Sequence, residues 1–191
     1  MLIDNKFEKF DIAWLEENGT SMPLDNNIFT YEYRGKKDSS NYFLMGNKRN
    51  GYTYLHYFEN KYHKIVKHYY PNGNIKEKGF MVNSSDTKTE TWYEFDENGK
   101  LTKTINYDKL TDLSLNDVLR FCELEKITIK SGYQEPFSGF YNSIYRYYDE
   151  NSSSYIWAVR WLKKHNLVEY IRLDGKTGKI REKTEEEYEN N

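Results

Sequence analysis

His56 and His63 flank the dipeptide Asn60-Lys61, which reads as a two-residue hairpin loop. Such a loop pairs Phe58 with His63 and His56 with Ile65, making the two imidazoles diagonal neighbours on one face, within reach of one metal ion. A catalytic zinc site takes a third protein ligand, and no His-x-His or Cys-x-x-Cys supplies one. His68 has the opposite parity and His165 falls in a polar turn, so no metal is expected. Cys122 sits on the apolar stripe of a predicted helix, where burial raises a thiol's pKa and makes it inert. Ser152-Ser153-Ser154 is a flexible turn without the Gly-x-Ser-x-Gly elbow of an activated serine. Gly175-Lys176-Thr177-Gly178 lacks the spacing and the strand-to-helix setting of a phosphate-cradling loop, and Asp174 beside it reads as a turn former. No catalytic residue and no cofactor is assigned, and an enzyme is not expected.

Tyrosines carry the stronger signal. Tyr52, Tyr54 and, across the hairpin, Tyr69 fall on one parity, while Tyr57, Tyr62 and Tyr70 fall on the other. Both faces of a small sheet are then aromatic, though only one can be a core. The outer rings either cover the sheet with their hydroxyls in water or form a contact surface, since Tyr, Trp and Arg dominate binding hot spots. Tyr145, Arg146, Tyr147 and Tyr148 make a second dense cluster. The candidate partner-binding set is therefore Tyr54, Tyr57, Tyr70, Tyr145, Arg146, Tyr147 and Tyr148.

Short strands with a turn every 8–12 residues must position these rings. They run over 28–33, 42–45, 52–58, 62–70, 75–82, 87–95 and 101–107, with Arg34 to Ser40 read as a turn cluster. Residues 1–25 fit either a short helical turn or an edge strand, and Met22 to Asn27 reads as loop. Ser114-Leu115-Asn116-Asp117 has the hydroxyl-x-x-acid pattern of a helix start, and Leu115, Val118, Leu119 and Cys122 follow at i, i+3, i+4 and i+7. Residues 132–139 read as loop. Hairpins are expected over 143–161 and 167–183, then a solvated tail or short terminal helix. The fold class is mainly β (α+β): an antiparallel meander of stacked hairpins over 1–110, then a helix plus antiparallel hairpins over 111–191.

Composition narrows the classes. Of 191 residues, 37% are hydrophobic but 17% are aromatic, which opposes disorder. No apolar run is long enough to span a membrane, and Met1 to Glu8 does not resemble a secretory signal. One cysteine excludes an internal disulfide and fits a cytoplasmic location. With 28 basic and 30 acidic residues the net charge is −2, which opposes nucleic-acid binding.

The chain also repeats itself. His68-Tyr69-Tyr70-Pro71-Asn72-Gly73-Asn74-Ile75-Lys76 aligns with Glu94-Phe95-Asp96-Glu97-Asn98-Gly99-Lys100-Leu101-Thr102 at a shift of 26 residues. Each unit reads aromatic strand, Asn-Gly turn, aliphatic strand, and Asn-Gly suits a tight turn because both residues accept positive φ. Through Tyr69, Asn72, Gly73, Ile75, Gly79 and Phe80, then Trp92, Tyr93, Asn98, Gly99, Leu101 and Tyr107, the stretch over about 50–107 resembles the MORN-variant repeat. Residues 112–183 are similar to PepSY-type modules through Tyr155-Ile156-Trp157-Ala158-Val159 and the hairpin from Tyr170 to Ile180. The first resemblance implies a bacterial antitoxin or immunity protein that binds one toxin molecule and blocks it sterically. The second implies a binding or inhibitory module. The alternative is a carbohydrate- or envelope-binding module built on Tyr and Trp platforms. Open strand edges are expected to support a homodimer.

Overall fold

A computed structural model describes residues 3–25, 28–134 and 142–188. In chain order the elements are α1 (Ile12–Asn18), β1 (Thr20–Asp25), β2 (Ile28–Lys37), β3 (Ser40–Asn47), β4 (Gly51–Tyr57), β5 (His63–Tyr69), β6 (Ile75–Val82), β7 (Lys88–Phe95), β8 (Leu101–Asn106), a 3-10 turn (Tyr107–Leu110), α2 (Leu115–Leu124), β9 (Ser143–Asp149), β10 (Ser154–Lys164), β11 (Leu167–Asp174) and β12 (Ile180–Glu187). The first eight strands form one antiparallel meander in sequence order, and the last four form a second antiparallel sheet. The fold is mainly β, as the strand-turn alternation predicts.

Turn chemistry explains the meander. The Asn72-Gly73 and Asn98-Gly99 turns are built alike: Gly73 N–H donates to the Tyr70 carbonyl and Gly99 N–H to the Asp96 carbonyl, both at 2.9 Å. Both glycines take φ of 84°, while neither asparagine has positive φ. Each turn is flanked by a register shift: His68 pairs with Glu77 but Tyr69 with Ile75, and Glu94 pairs with Lys103 but Phe95 with Leu101. The expected pair of positive-φ residues is thus corrected to one glycine and a bulge, the form of a longer hairpin loop. Side-chain amides of Asn72 and Asn74 both donate to the Glu97 carbonyl, stacking one turn on the next.

Three boundaries differ from the sequence reading. Residues 34–37 continue β2, because the reversal needs only Asp38 and Ser39, both at positive φ, with Lys37 opposite Ser40. Residues 22–25, expected as loop, belong to β1 (Thr20–Asp25), and Pro23 is accommodated because this is an edge strand, where a missing donor breaks no ladder. The acidic tail becomes β12, paired along β11 from Leu173 to Leu167. Parts of the expected 132–139 loop, of the Met22–Asn27 loop and of the terminal tail lie outside the described residues.

Three buried clusters form the core, and one of them, Val66, Met81 and Trp92, belongs to the large sheet alone. On one face of the large sheet Tyr52, Tyr69, Ile75 and Phe95 pack against Phe10 and Leu15 from the N-terminal segment. This strap is held by Phe10 N–H on the Gly73 carbonyl (2.7 Å) and Ile75 N–H on the Glu8 carbonyl (3.0 Å). The second core joins Val118 and Cys122 of α2 to Ile144, Trp157, Val159, Ile171 and Leu173 of the small sheet. Ser114 caps α2 as predicted: Asp117 N–H donates to its hydroxyl, and its own N–H donates to the Asp117 carboxylate. The sheets meet where β9 lies along the β6–β7 turn. Ile144 N–H donates to Ser84 Oγ (3.2 Å), Arg146 N–H to Thr87 Oγ1 (2.9 Å), and Ser85 Oγ to the Ile144 carbonyl (2.7 Å).

Candidate functional site

The seven residues singled out by sequence do not converge. Tyr54 lies half-buried on the strap-covered face, with Lys67 Nζ 5.7 Å above its ring, and burial raises its phenol. Tyr57 is on the opposite face between Phe43 and Tyr133, and burial pushes its phenol up to about 12. Tyr70 donates its hydroxyl to the Phe95 carbonyl (2.9 Å), tying one repeat turn to the next. These three rings are occupied within the large sheet.

Strand alternation divides the other cluster. Cross-strand pairing sets Ile144 opposite Val159 and Arg146 opposite Trp157, so Ile144, Arg146 and Tyr148 share the side that carries the second core. Tyr145 and Tyr147 point the other way, stacked at 6.0 Å and 27°. Register extends that outer face across all four strands. Tyr145 lies in a row with Ala158, Arg172 and Glu182, and the next row holds Ser143, Arg160, Tyr170 and Thr184. Ala158 at the centre leaves room for the rings beside it and is itself buried.

Polar contacts fix this face. Arg160 Nε donates to the Tyr170 hydroxyl (2.9 Å), which donates to Glu186 Oε1 (2.6 Å), and Arg172 Nη1 meets Glu182 Oε2 at 2.6 Å. Burial, together with Tyr147 and Tyr170, raises the Tyr145 phenol, while Arg172 and Arg160 oppose the shift. Rings and guanidinium groups held this way lose little freedom on contact with another molecule. Arg160, Tyr170 and Arg172 were absent from the sequence-derived set. Their signal is the alternation of Tyr170-Ile171-Arg172-Leu173, in which Ile171 and Leu173 are buried and the two polar residues face out.

Residues with chemical potential elsewhere are used locally. His56 and Ile65 pair as predicted, but His56 packs on Phe58 (4.3 Å) and His63 on Phe80 (4.9 Å). Among the described residues no group of three His, Cys, Asp or Glu side chains is placed to hold a metal ion. The Cys122 thiol is buried and pushed up to about 12 by desolvation. The Asp174 carboxylate accepts from Lys176 N–H (3.0 Å) and Thr177 N–H (2.8 Å), so the amides a phosphate would use are already occupied. Burial and hydrogen bonding act oppositely there, and donors from Thr177 and Arg181 hold Asp174 well below the usual carboxylate range. On the large sheet Thr53 Oγ1 and His68 Nδ1 lie 3.0 Å apart, and Glu77 lies 3.9 Å from His68 Nε2. Glu77 is bound to Lys88 Nζ at 2.6 Å, so its carboxylate orients the lysine rather than the imidazole. Among the described residues no helix is long and apolar enough to cross a membrane.

Comparison with protein-family models, with curated proteins and with solved structures gave no match.

Proposed function

We propose that this chain is a stoichiometric inhibitor of the antitoxin or immunity type, which binds one protein toxin and occludes it. The contact surface in this reading is the outer face of the small sheet. The observation that carries it is the stacked Tyr145–Tyr147 pair beside Tyr170, Arg160 and Arg172 on one rigid antiparallel platform. Tyr and Arg combine large contact area with directional polar groups, the composition of binding hot spots. The toxin as occupant comes from the resemblance of residues 50–107 to the MORN-variant repeat. Engagement of the half-buried Tyr54, Tyr57 and Tyr70 by neighbours within the large sheet leaves that sheet the role of scaffold.

The test begins with the partner recovered from native cells, followed by reconstitution from purified components. A one-to-one complex that suppresses the partner's activity is expected. Replacing Tyr145 and Tyr147 together by alanine should weaken it by about a hundredfold, the loss of roughly one to two hot-spot residues. Tyr62→Ala, at the β4–β5 loop, serves as the unaffected control. Unchanged affinity in the double variant removes this face from the reading. Saturable binding to polysaccharide with no protein partner replaces inhibition by the glycan-module alternative.

A further inference from the structure

Arg146 stands apart from the arginines around it. Arg34, Arg172 and Arg181 each meet a carboxylate, from Glu32, Glu182 and Asp174. Arg146 is more enclosed, yet among the described residues no carboxylate comes within 4.0 Å of its guanidinium. Its plane is nevertheless fixed. Nη2 donates to the Lys88 carbonyl at 2.8 Å, Nη1 reaches Thr111 Oγ1 at 3.5 Å, and the group lies 4.9 Å over the Trp157 ring. Arginine remains protonated in proteins, so the desolvated charge persists, and a buried charge without a counterion is costly.

The guanidinium borders a cavity of about 230 Å³ at the joint between the sheets, walled also by Thr87, Lys88, Tyr107 and Tyr155. Neither the Tyr107 nor the Tyr155 hydroxyl is hydrogen-bonded to a described residue. Lys88 brings little free charge, since its ammonium is bound to Glu77 and lies 4.0 Å from the Trp92 ring. Asp86 is on the wall but exposed and outside ion-pair distance, and Asp108 acts on the guanidinium only from beyond that distance. One guanidinium without an ion-pair partner and two tyrosines whose hydroxyls lack hydrogen bonds among the described residues therefore line a single space.

We infer that this cavity is a binding site for a carboxylate, held by the Arg146 guanidinium with the Tyr107 and Tyr155 hydroxyls as further donors. A planar guanidinium matches a carboxylate bidentately, and two of its N–H groups are all that the protein engages through the Lys88 carbonyl and Thr111. Charge selects a monoanion. A single guanidinium, already in the field of Asp108, matches one carboxylate, whereas a phosphate dianion would stay under-compensated and would be repelled by Asp86 and Asp108. The carboxylate comes either from a small free acid or from an Asp or Glu side chain of a bound protein. The site itself does not depend on the inhibitor reading.

The test uses the full chain and acetate, with chloride at matched ionic strength as control and inorganic phosphate as comparison. Chemical shifts of the Arg146 side chain and the Trp157 indole report occupancy. Acetate should shift both saturably, chloride should not, and phosphate should bind more weakly. Tyr155→Phe keeps ring volume and removes one donor, so it should weaken acetate binding by about tenfold, the worth of one hydrogen bond to a charged group. Asp86→Asn should tighten it, an effect that a purely structural Arg146 does not produce. Arg146→Gln should abolish it, and the other two variants keep the test decisive where that one unfolds. Non-saturating shifts, or shifts equal to those from chloride, overturn the site. The source is read separately with the reconstituted complex. Competition by acetate and weakening by Tyr155→Phe assign the carboxylate to the partner, whereas an indifferent complex assigns it to a free acid.

Discussion

The two sheets solve the same shortage of aliphatic residues in different ways. The small sheet keeps a conventional core in which Trp157, Val159, Ile171 and Leu173 meet a capped helix. Its aromatic residues other than the tryptophans are pushed to the outer face or the strand ends. The large sheet has no helix of comparable length, and on its strap-covered face tyrosines supplement the aliphatics: Tyr52 and Tyr69 are buried beside Phe10, Leu15, Ile75 and Phe95. Closure comes from an extended strap fastened by charge. Glu8 bridges Lys67 (2.7 Å) and Lys78 (3.1 Å), and Lys78, only 3% exposed, also reaches Asp4 and the Lys6 carbonyl. Tyrosine in a core brings a hydroxyl that needs a partner, and the buried Tyr52 hydroxyl has none among the described residues. The strap is thus held on this face by buried ion pairs as well as by packing, whereas the small sheet carries ion pairs at its surface and its core is apolar.

The largest effect expected from this contrast is in the small sheet. Trp157 is fully buried and its indole N–H donates to the Leu113 carbonyl at 2.9 Å, linking the sheet to the segment that leads into α2. Trp157→Ala should cost about 3–5 kcal/mol, since it removes the largest side chain of that core and leaves a cavity. Chemical denaturation followed by amide exchange checks both size and place. Exchange should accelerate first across β9 to β12 and α2. Uniform acceleration across both sheets would show that the two sheets unfold as one unit.

The strap should give the next largest effect, and of a different kind. Glu8→Ala leaves Lys78 buried with the Asp4 carboxylate at 3.3 Å and the Lys6 carbonyl at 2.8 Å, and it frees Lys67. Breaking a buried ion pair from one side costs about 3–5 kcal/mol, and the retained Asp4 partner of Lys78 together with solvent screening at the partly exposed Glu8 and Lys67 reduces this to about 2 kcal/mol. Raising salt should destabilise the native chain by more than it destabilises the variant. A variant as stable as the native chain would mean that Phe10 and Leu15 alone hold the strap.

These contacts mark where sequence reading stopped. The repeat was legible because Asn-Gly turns and period-two alternation are local, and both hairpins formed with the same turn and bulge. The α2 cap and stripe were legible for the same reason. The strap was not, because Glu8 meets lysines 59 and 70 positions away and nothing near Glu8 specifies them. The run from Tyr145 to Tyr148 misled differently: four adjacent residues resemble a cluster, but a strand sends neighbours to opposite faces. Two of them join residues of β10 and β11 that only register could supply, and Arg146 turns inward to the joint between the sheets. Composition correctly indicated an aromatic protein. It could not say which tyrosines replace a core and which remain outside, because both parities carry them.

Acid should separate the two regions, with a smaller effect than either substitution. Burial lowers the pKa of His56, His63 and His68, all on β4, β5 or their ladder, from the ordinary value of 6.5. Lys67 acts in the same direction on His56, while Glu77 partly opposes the shift at His68. A histidine whose folded pKa lies below its unfolded pKa binds protons more readily when unfolded. Its neutral form therefore stabilises the fold above 6.5, and that contribution is lost as pH falls through 6.5 toward the folded value. The small sheet responds lower on the scale. Its depressed groups are Asp149, Asp174 and Glu169, whose contribution is present above the ordinary carboxylate range and is lost only as pH falls below it. Amide exchange measured from pH 7 to pH 5, corrected for intrinsic rates, should show protection falling in β4 to β6 while β10 and β11 hold. His68→Gln should remove part of that slope, since it deletes the imidazole that Thr53 contacts and leaves Glu77 bound to Lys88. Equal losses in both sheets over that interval would mean that the histidines report a global unfolding rather than a loosening of the sheet they belong to.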